Sequence, residues 1–290
     1  MTHSCGINID KDWRVEDHWK IEDLPWDKLD PDKVSPDLLK VIKAAALVEY
    51  NAEVYAKYLC QVFPDDEHVQ DNVNTWSNEE VQHGQALGLW AERIDPKWDL
   101  EKAMKKFRAG YNPEHFITEV SASVRGSRAG EMVARCMVEV GTSSYYSAIG
   151  HSCEEPVLKE ICKLVAGDEF RHYKCFYDIM HKYIKEDNLT KFGRLKVAVG
   201  RISEGEDDEL AYAYFAANAS DDEVYDRKKY SREYLGRAYS YYKKQEVDRA
   251  VSMIFKACGF KPQTIAYKTA TKFAWWKFES EARRLQKAAA

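Results

Sequence analysis

The chain has 290 residues, with 48 acidic against 43 basic side chains, a formal net charge of −5 and 45% hydrophobic residues. Interspersed charge with a mild acidic excess excludes the basic bias of a nucleic-acid binder and the composition of a disordered acidic tail. Only 14 Gly and 8 Pro are present, sparse punctuation for an all-β domain with many tight turns, so long helices are the leading expectation.

Residues 1–34 read as an extended N-terminal arm, bearing tryptophans together with Pro25 and Pro31. The acidic residues Asp10, Asp12, Glu16, Asp17, Glu22 and Asp23 are unlike a signal peptide. A first helix is expected from Ser35-Pro36, a serine cap followed by proline at the first helical position, and its apolar period runs to Pro64. A second spans about Asp66 to Arg93, and a short segment covers Asp99 to Phe107. Asn112-Pro113 repeats the start signal and opens a long helical stretch to about Gly150, bent or broken at Gly126 and Gly130. Ser152 and Pro156 open a fourth long helix to about Lys185. These make an amphipathic four-helix bundle core over 35–187, with residues 188–290 as additional helices on the same domain. No run approaches 18 apolar residues, so no membrane span is expected. The seven cysteines form no CxxC pair and are odd in number, which fits a reducing cytoplasm.

The core faces carry the informative pattern. Glu80 and His83, and again Glu169 and His172, stand three residues apart on one helical face. One such pair is expected by chance in a chain with eight histidines. A second layer removes chance as the reading: Glu49 precedes Glu80 by 31 residues and Glu139 precedes Glu169 by 30. In an antiparallel hairpin, about 15 residues up and 15 down bring the chain back to one height. The neighbours of these glutamates are apolar, among them Ala45, Ala52, Val73, Leu87, Cys136, Val165 and Phe176. Four carboxylates in one apolar core would be prohibitive without compensation, and two divalent cations supply it. Four Glu and two His are the ligand set of a carboxylate-bridged two-metal site in a ferritin-like bundle. Oxygen-rich ligation with one imidazole per ion suits iron or manganese. Asp178 and His181 are also three apart but lack an upstream partner, and read as an ordinary pair.

At these residues the sequence resembles the soluble acyl-carrier-protein desaturases. Trp76–Gly84, W-S-N-E-E-V-Q-H-G, is similar to that family's W-x-x-E-E-x-x-H-G block, and Gly167–His172 to its D-E-x-x-H block. Glu49 followed by Tyr55, and Glu139 followed by Thr142, are similar to the remaining two ligand helices. The resemblance covers about 45–185 and implies an all-α, ferritin-like diiron enzyme with Glu49, Glu80, His83, Glu139, Glu169 and His172 as metal ligands, Glu80 and Glu169 bridging. It also implies Asp168 and Trp76 as partners that orient the ligands, and Thr142 as a catalytic hydroxyl facing the oxygen-binding side. The implied reaction is O2-dependent desaturation of an acyl chain on acyl-carrier protein, with electrons from a ferredoxin-type donor, in a homodimer. Lys102, Lys105, Lys106 and Arg108, or Arg227, Lys228, Lys229 and Arg232, are candidate docks for the acidic carrier. Hydroxylation or N-oxygenation of a different small molecule at the same centre is the alternative, and iron storage or a purely structural bundle a third reading.

Overall fold

A computed structural model describes residues 13–15, 17–113, 122–204 and 208–289. They form α-helices and short 3-10 turns, with no strand among the described residues. The helices are α1 (Pro36–Tyr50), α2 (Ala52–Val62), α3 (Glu67–Ile94), α4 (Leu100–Gly110), α5 (Arg128–Ser152), α6 (Pro156–Tyr183), α7 (Lys191–Glu204), α8 (Asp208–Asn218), α9 (Arg227–Ala238), α10 (Lys244–Ala257) and α11 (Ile265–Ala289).

The start signals act as side-chain caps. Ser35 Oγ accepts from Leu38 N at 3.2 Å with Pro36 following, and Asp66 Oδ1 accepts from Val69 N at 3.2 Å. Two expectations need correction. The first helix does not run unbroken to Pro64: it stops at Tyr50, and α2 begins at Ala52. Asn51 sits between them at φ −91°, ψ 8°, and its side-chain Oδ1 accepts from Arg108 Nε at 3.2 Å, which pins the break. The helix expected to open at Asn112 instead starts at Arg128, capped by Ser127, because Gly126 turns the chain at φ +82°. Residues 112 and 113 are not helical, and 114–121 lie outside the described residues.

Helices α1, α3, α5 and α6 form the bundle: α5 pairs with α6 across a three-residue link, α1 with α3, and α3 with α6. The other helices surround it, with α7 and α10 on α5, α8 on α1, α9 on α8, and α11 on α9 and α10. The apolar interior falls into two halves. One gathers Ile42, Leu47, Leu87, Trp90, Ile149, Leu158 and Val165, and the other Leu59, Val69, Val73, Met132, Cys136, Phe176 and Met180. On every bundle helix the glutamates and histidines picked out by the sequence fall between these halves, as a polar layer across the core. No helix among the described residues is long and apolar enough to cross a membrane.

The cap of α6 ties the bundle to its surroundings. Glu155, fully buried, accepts from Val157 N and Leu158 N, from Trp90 Nε1 at 2.8 Å and from Asp30 N at 3.1 Å. Glu155→Ala orphans all four donors and is expected to lower the unfolding free energy by about 2–4 kcal/mol, read from urea denaturation.

Candidate metal centre

Six side chains from four helices meet in the polar layer: Glu49 from α1, Glu80 and His83 from α3, Glu139 from α5, Glu169 and His172 from α6. All six are 6% exposed or less. They form two overlapping groups, Glu49–Glu80–His83–Glu169 and Glu80–Glu139–Glu169–His172, each with one potential ligand atom per residue lying within 4.8 Å of the others. Glu80 and Glu169 belong to both. Glu80 turns Oε2 towards His83 Nδ1 (3.5 Å) and Oε1 towards His172 Nδ1 (3.0 Å). Glu169 does the reverse, with Oε1 3.5 Å from His83 Nδ1 and Oε2 3.7 Å from His172 Nδ1. Each of the two carboxylates therefore spans the pair of imidazoles, while Glu49 and Glu139 close opposite ends.

The approach of α1 to α3 depends on a missing side chain. A Cβ on Gly84 would lie 2.4 Å from Tyr50 N and 2.7 Å from Tyr50 Cα. Gly84 follows His83 directly, so the glycine that lets the backbone of α1 come close also brings Glu49 to Glu80.

Burial and mutual charge shift all six groups from their ordinary ranges. Burial, reinforced by Glu80 and Glu169, pushes the Glu49 carboxyl well above the ordinary range, and burial with Glu169 and Glu80 does the same to Glu139. Burial would raise Glu80 too, but neighbouring Glu49, His172 and His83 outweigh it and hold Glu80 well below its usual value; burial and Glu80 would raise Glu169, but His172, His83 and Glu139 outweigh them and lower it. Burial disfavours the imidazolium forms, yet Asp168, Glu169 and Glu80 raise His83, and Glu169, Glu79 and Glu80 raise His172. Even so, His83 Nδ1, His172 Nδ1, both oxygens of Glu139 and Oε1 of Glu169 are buried without a hydrogen-bond partner. Such atoms are costly unless something binds them, and a carboxylate and imidazole donor set with its free atoms aimed at common points fits a pair of divalent ions.

The outer nitrogens of the imidazoles are held crosswise. Asp168 on α6 accepts from His83 Nε2 on α3 at 2.9 Å, and Glu79 on α3 accepts from His172 Nε2 on α6 at 2.8 Å. Each of these carboxylates immediately precedes a shared glutamate, and Arg171 bridges them, 2.5 Å from Asp168 Oδ1 and 3.0 Å from Glu79 Oε2. A hydrogen-bonded Nε2 leaves Nδ1 as the nitrogen that could bind a metal. Asp168 thus lies against the outer nitrogen of His83. Trp76 does not touch the imidazoles: it packs edge-on against Phe176 at 5.5 Å in the apolar half, and its indole N–H finds no acceptor among the described residues. Four residues before Glu80, it sits a full turn away from the layer.

The indole contacts come from the arm. Trp19 Nε1 donates to Asp168 at 2.7 Å, its ring stacks parallel to His83 at 6.1 Å, and His18 Nε2 lies 2.9 Å from the same carboxylate. Trp13 donates to Asn72 at 2.8 Å and meets His172 edge-on at 5.6 Å. On the other side, Tyr146 donates to Glu49 Oε1 at 2.5 Å, and Thr142 donates to Glu169 Oε2 at 2.7 Å. Thr142 Oγ1 is also within 3.3 Å of Val138 O, so its hydroxyl serves the helix and the centre together. Glu79 escaped the sequence reading, although the equivalence of Glu79-Glu80 with Asp168-Glu169 could have found it; Tyr146 shows in the sequence on the face of Glu139, two turns along, but only as a neighbour with no hydrogen-bonding role. Asp178 and His181 stay apart from the centre, bound to Lys174 and to Tyr177 O.

The polar layer in a ferritin-like all-α bundle defines a carboxylate–histidine helical protein. The sequence model of the fatty acid desaturase family matches residues 41–243, which include all six converging residues. The chain belongs to that family, which makes it an oxidoreductase of desaturase type. None of the curated proteins matches it closely.

The candidate carrier docks are partly spent on internal contacts. Lys106 donates to Ala219 O and lies over the Phe215 ring, Arg108 holds Asn51, and Lys229 pairs with Glu223 at 2.9 Å.

Gly84→Ala forces α1 and α3 apart. It is expected to cost about 1–3 kcal/mol in urea denaturation, more than alanine normally costs inside a helix.

Proposed function

We propose that the chain is an oxygen-dependent desaturase that holds two iron ions through Glu49, Glu80, His83, Glu139, Glu169 and His172 and introduces a double bond into an acyl chain carried on acyl-carrier protein. The observation that supports this most is the sharing of Glu80 and Glu169 between two groups of buried residues in which His83 Nδ1, His172 Nδ1, both oxygens of Glu139 and Oε1 of Glu169 have no hydrogen-bond partner. Manganese suits the same donors. When bound, the metal pair supplies O2 activation and the oxidising power that removes two hydrogens from neighbouring methylenes.

The protein's own residues do the rest. Asp168 and Glu79 fix the tautomer and orientation of His83 and His172, and Arg171 balances their charge. Thr142 can hold or pass a proton at Glu169 Oε2, and Tyr146 at Glu49 Oε1. The apolar halves on either side exclude water from the layer. Reducing O2 to two waters while the substrate gives up two electrons requires two more from outside, which a ferredoxin-type donor would deliver.

Protein expressed with iron is expected to hold about two transition-metal ions per chain by elemental analysis. Glu169→Ala should cut that number, and chelation should lower the Tm as the carboxylates lose their counter-charge. Incubation with acyl-carrier protein bearing a saturated chain, O2 and reduced ferredoxin should give an unsaturated chain by mass spectrometry. A hydroxylated product would overturn desaturation while keeping the centre, and metal content unchanged in Glu169→Ala would overturn the centre itself.

A further inference from the structure

The last helix, α11, is anchored along one face and bare along another. Phe278 packs between Tyr239 (4.2 Å) and Tyr242 (4.7 Å), Tyr267 meets Phe255 at 5.6 Å and donates to Asp248 O, and Thr271 is buried. On the outer side Ile265 is 85% exposed, and Phe273 and Trp276 62% each, with the two rings 5.9 Å apart. At about 100° per residue these three fall within an arc of roughly 80°, flanked by Lys268 and Lys272 on one edge and Lys277 on the other. From Ile265 to Trp276 the strip is about 16 Å long.

The charge of this helix opposes that of the molecule. Residues 265–289 hold six Lys and Arg against two Glu, a net +4, which leaves −9 on the other 265 residues. Both glutamates are engaged at 2.7 Å by arginines of the same helix, Glu279 by Arg283 and Glu281 by Arg284. No carboxylate of α11 is left for Lys268, Lys272 or Lys277, all exposed.

We propose that this face of α11 docks the protein peripherally on an anionic lipid surface, with Phe273 and Trp276 entering the headgroup layer and Lys268, Lys272 and Lys277 meeting lipid phosphates. Charge complementarity selects an anionic partner over a second copy, because a two-fold interface would set the same cations against each other. Between anionic partners, the apolar strip favours lipid. An indole and a phenyl ring standing out from the surface gain from a layer that is apolar below and wet above, and long lysine stems can reach from the same helix to the phosphates.

Sedimentation of the full-length protein with large vesicles tests this. Binding is expected to vesicles of phosphatidylcholine containing one part in three phosphatidylglycerol, to weaken as salt is raised, and to be absent on phosphatidylcholine alone. Replacing all three lysines by glutamine should reduce partitioning on the order of a hundredfold, and Phe273→Ser with Trp276→Ser by at least about tenfold. These side chains are exposed, so unchanged circular dichroism is expected in both variants. Failure to bind anionic vesicles, equal binding to neutral ones, or undiminished binding of the lysine variant would overturn the proposal. So would a dimer lost on Trp276→Ser, or capture by an acidic carrier protein without vesicle binding. None of these readouts depends on metal or turnover, so the desaturase reading stands or falls separately.

Discussion

Four carboxyl groups confined to a dry layer between two apolar halves of a bundle are the constraint to which the rest of the structure answers. Bare and ionised, they would repel one another at short range with no water to screen them. The protein meets this in two ways that agree. Burial and the neighbouring carboxylates favour the neutral forms of Glu49 and Glu139, and the carboxylates favour the imidazolium forms of His83 and His172. On the dimetal reading, two divalent ions would supply the compensating charge. The apolar halves then act as walls: they hold the layer dry and keep the helices in register, so that the carboxylates cannot turn outward to water.

Crosswise anchoring follows from the same constraint. An imidazole that turns Nδ1 inward is oriented by fixing its Nε2 hydrogen, and in both cases the acceptor comes from the opposite helix. Glu79 on α3 serves His172 on α6, and Asp168 on α6 serves His83 on α3. This adds two further carboxylates to an already acidic region. Arg171, hydrogen-bonded to both and lying 5.8 Å from the Trp13 ring, supplies a cation that covers the pair. The arm completes the enclosure, since Trp19 and His18 converge on Asp168 and Gln82 donates to Trp19 O at 2.7 Å.

What the sequence could reveal was what repeats. The two Glu-x-x-His pairs with upstream glutamates 31 and 30 residues earlier fix the four helices and their common height, because helical period and hairpin length are local properties. Contacts made by single residues across the fold carry no such signal. Trp13, His18 and Trp19 belong to a stretch without periodicity, and nothing in their spacing points to a site some 150 positions away, such as Asp168. The break at Asn51 was hidden for a related reason. The alanines on either side keep helical spacing, and only the contact with Arg108 from α4 shows where the chain is pinned. Trp76 illustrates the converse: a motif position in the right block whose side chain serves packing against Phe176.

The centre is two-sided, and the sides differ in chemistry. On α3 and α6 the outward hydrogen bonds end in an ionic network closed by the arm, which fixes the orientation of the imidazoles. On α5, Glu139, Thr142 and Tyr146 follow one another along a single face, so a carboxylate, a hydroxyl and a phenol are delivered by one helix. Thr142 and Tyr146 donate to carboxylates on two different partners, the shared Glu169 of α6 and the outlying Glu49 of α1. Their hydroxyl hydrogens lie next to atoms that a metal would bind, while those of the opposite side are spent on fixing ring orientation. Contacts that fix ring orientation are therefore concentrated on α3 and α6, and hydroxyl groups beside the buried carboxylates on α5, so the bundle separates the two kinds of contact onto different walls.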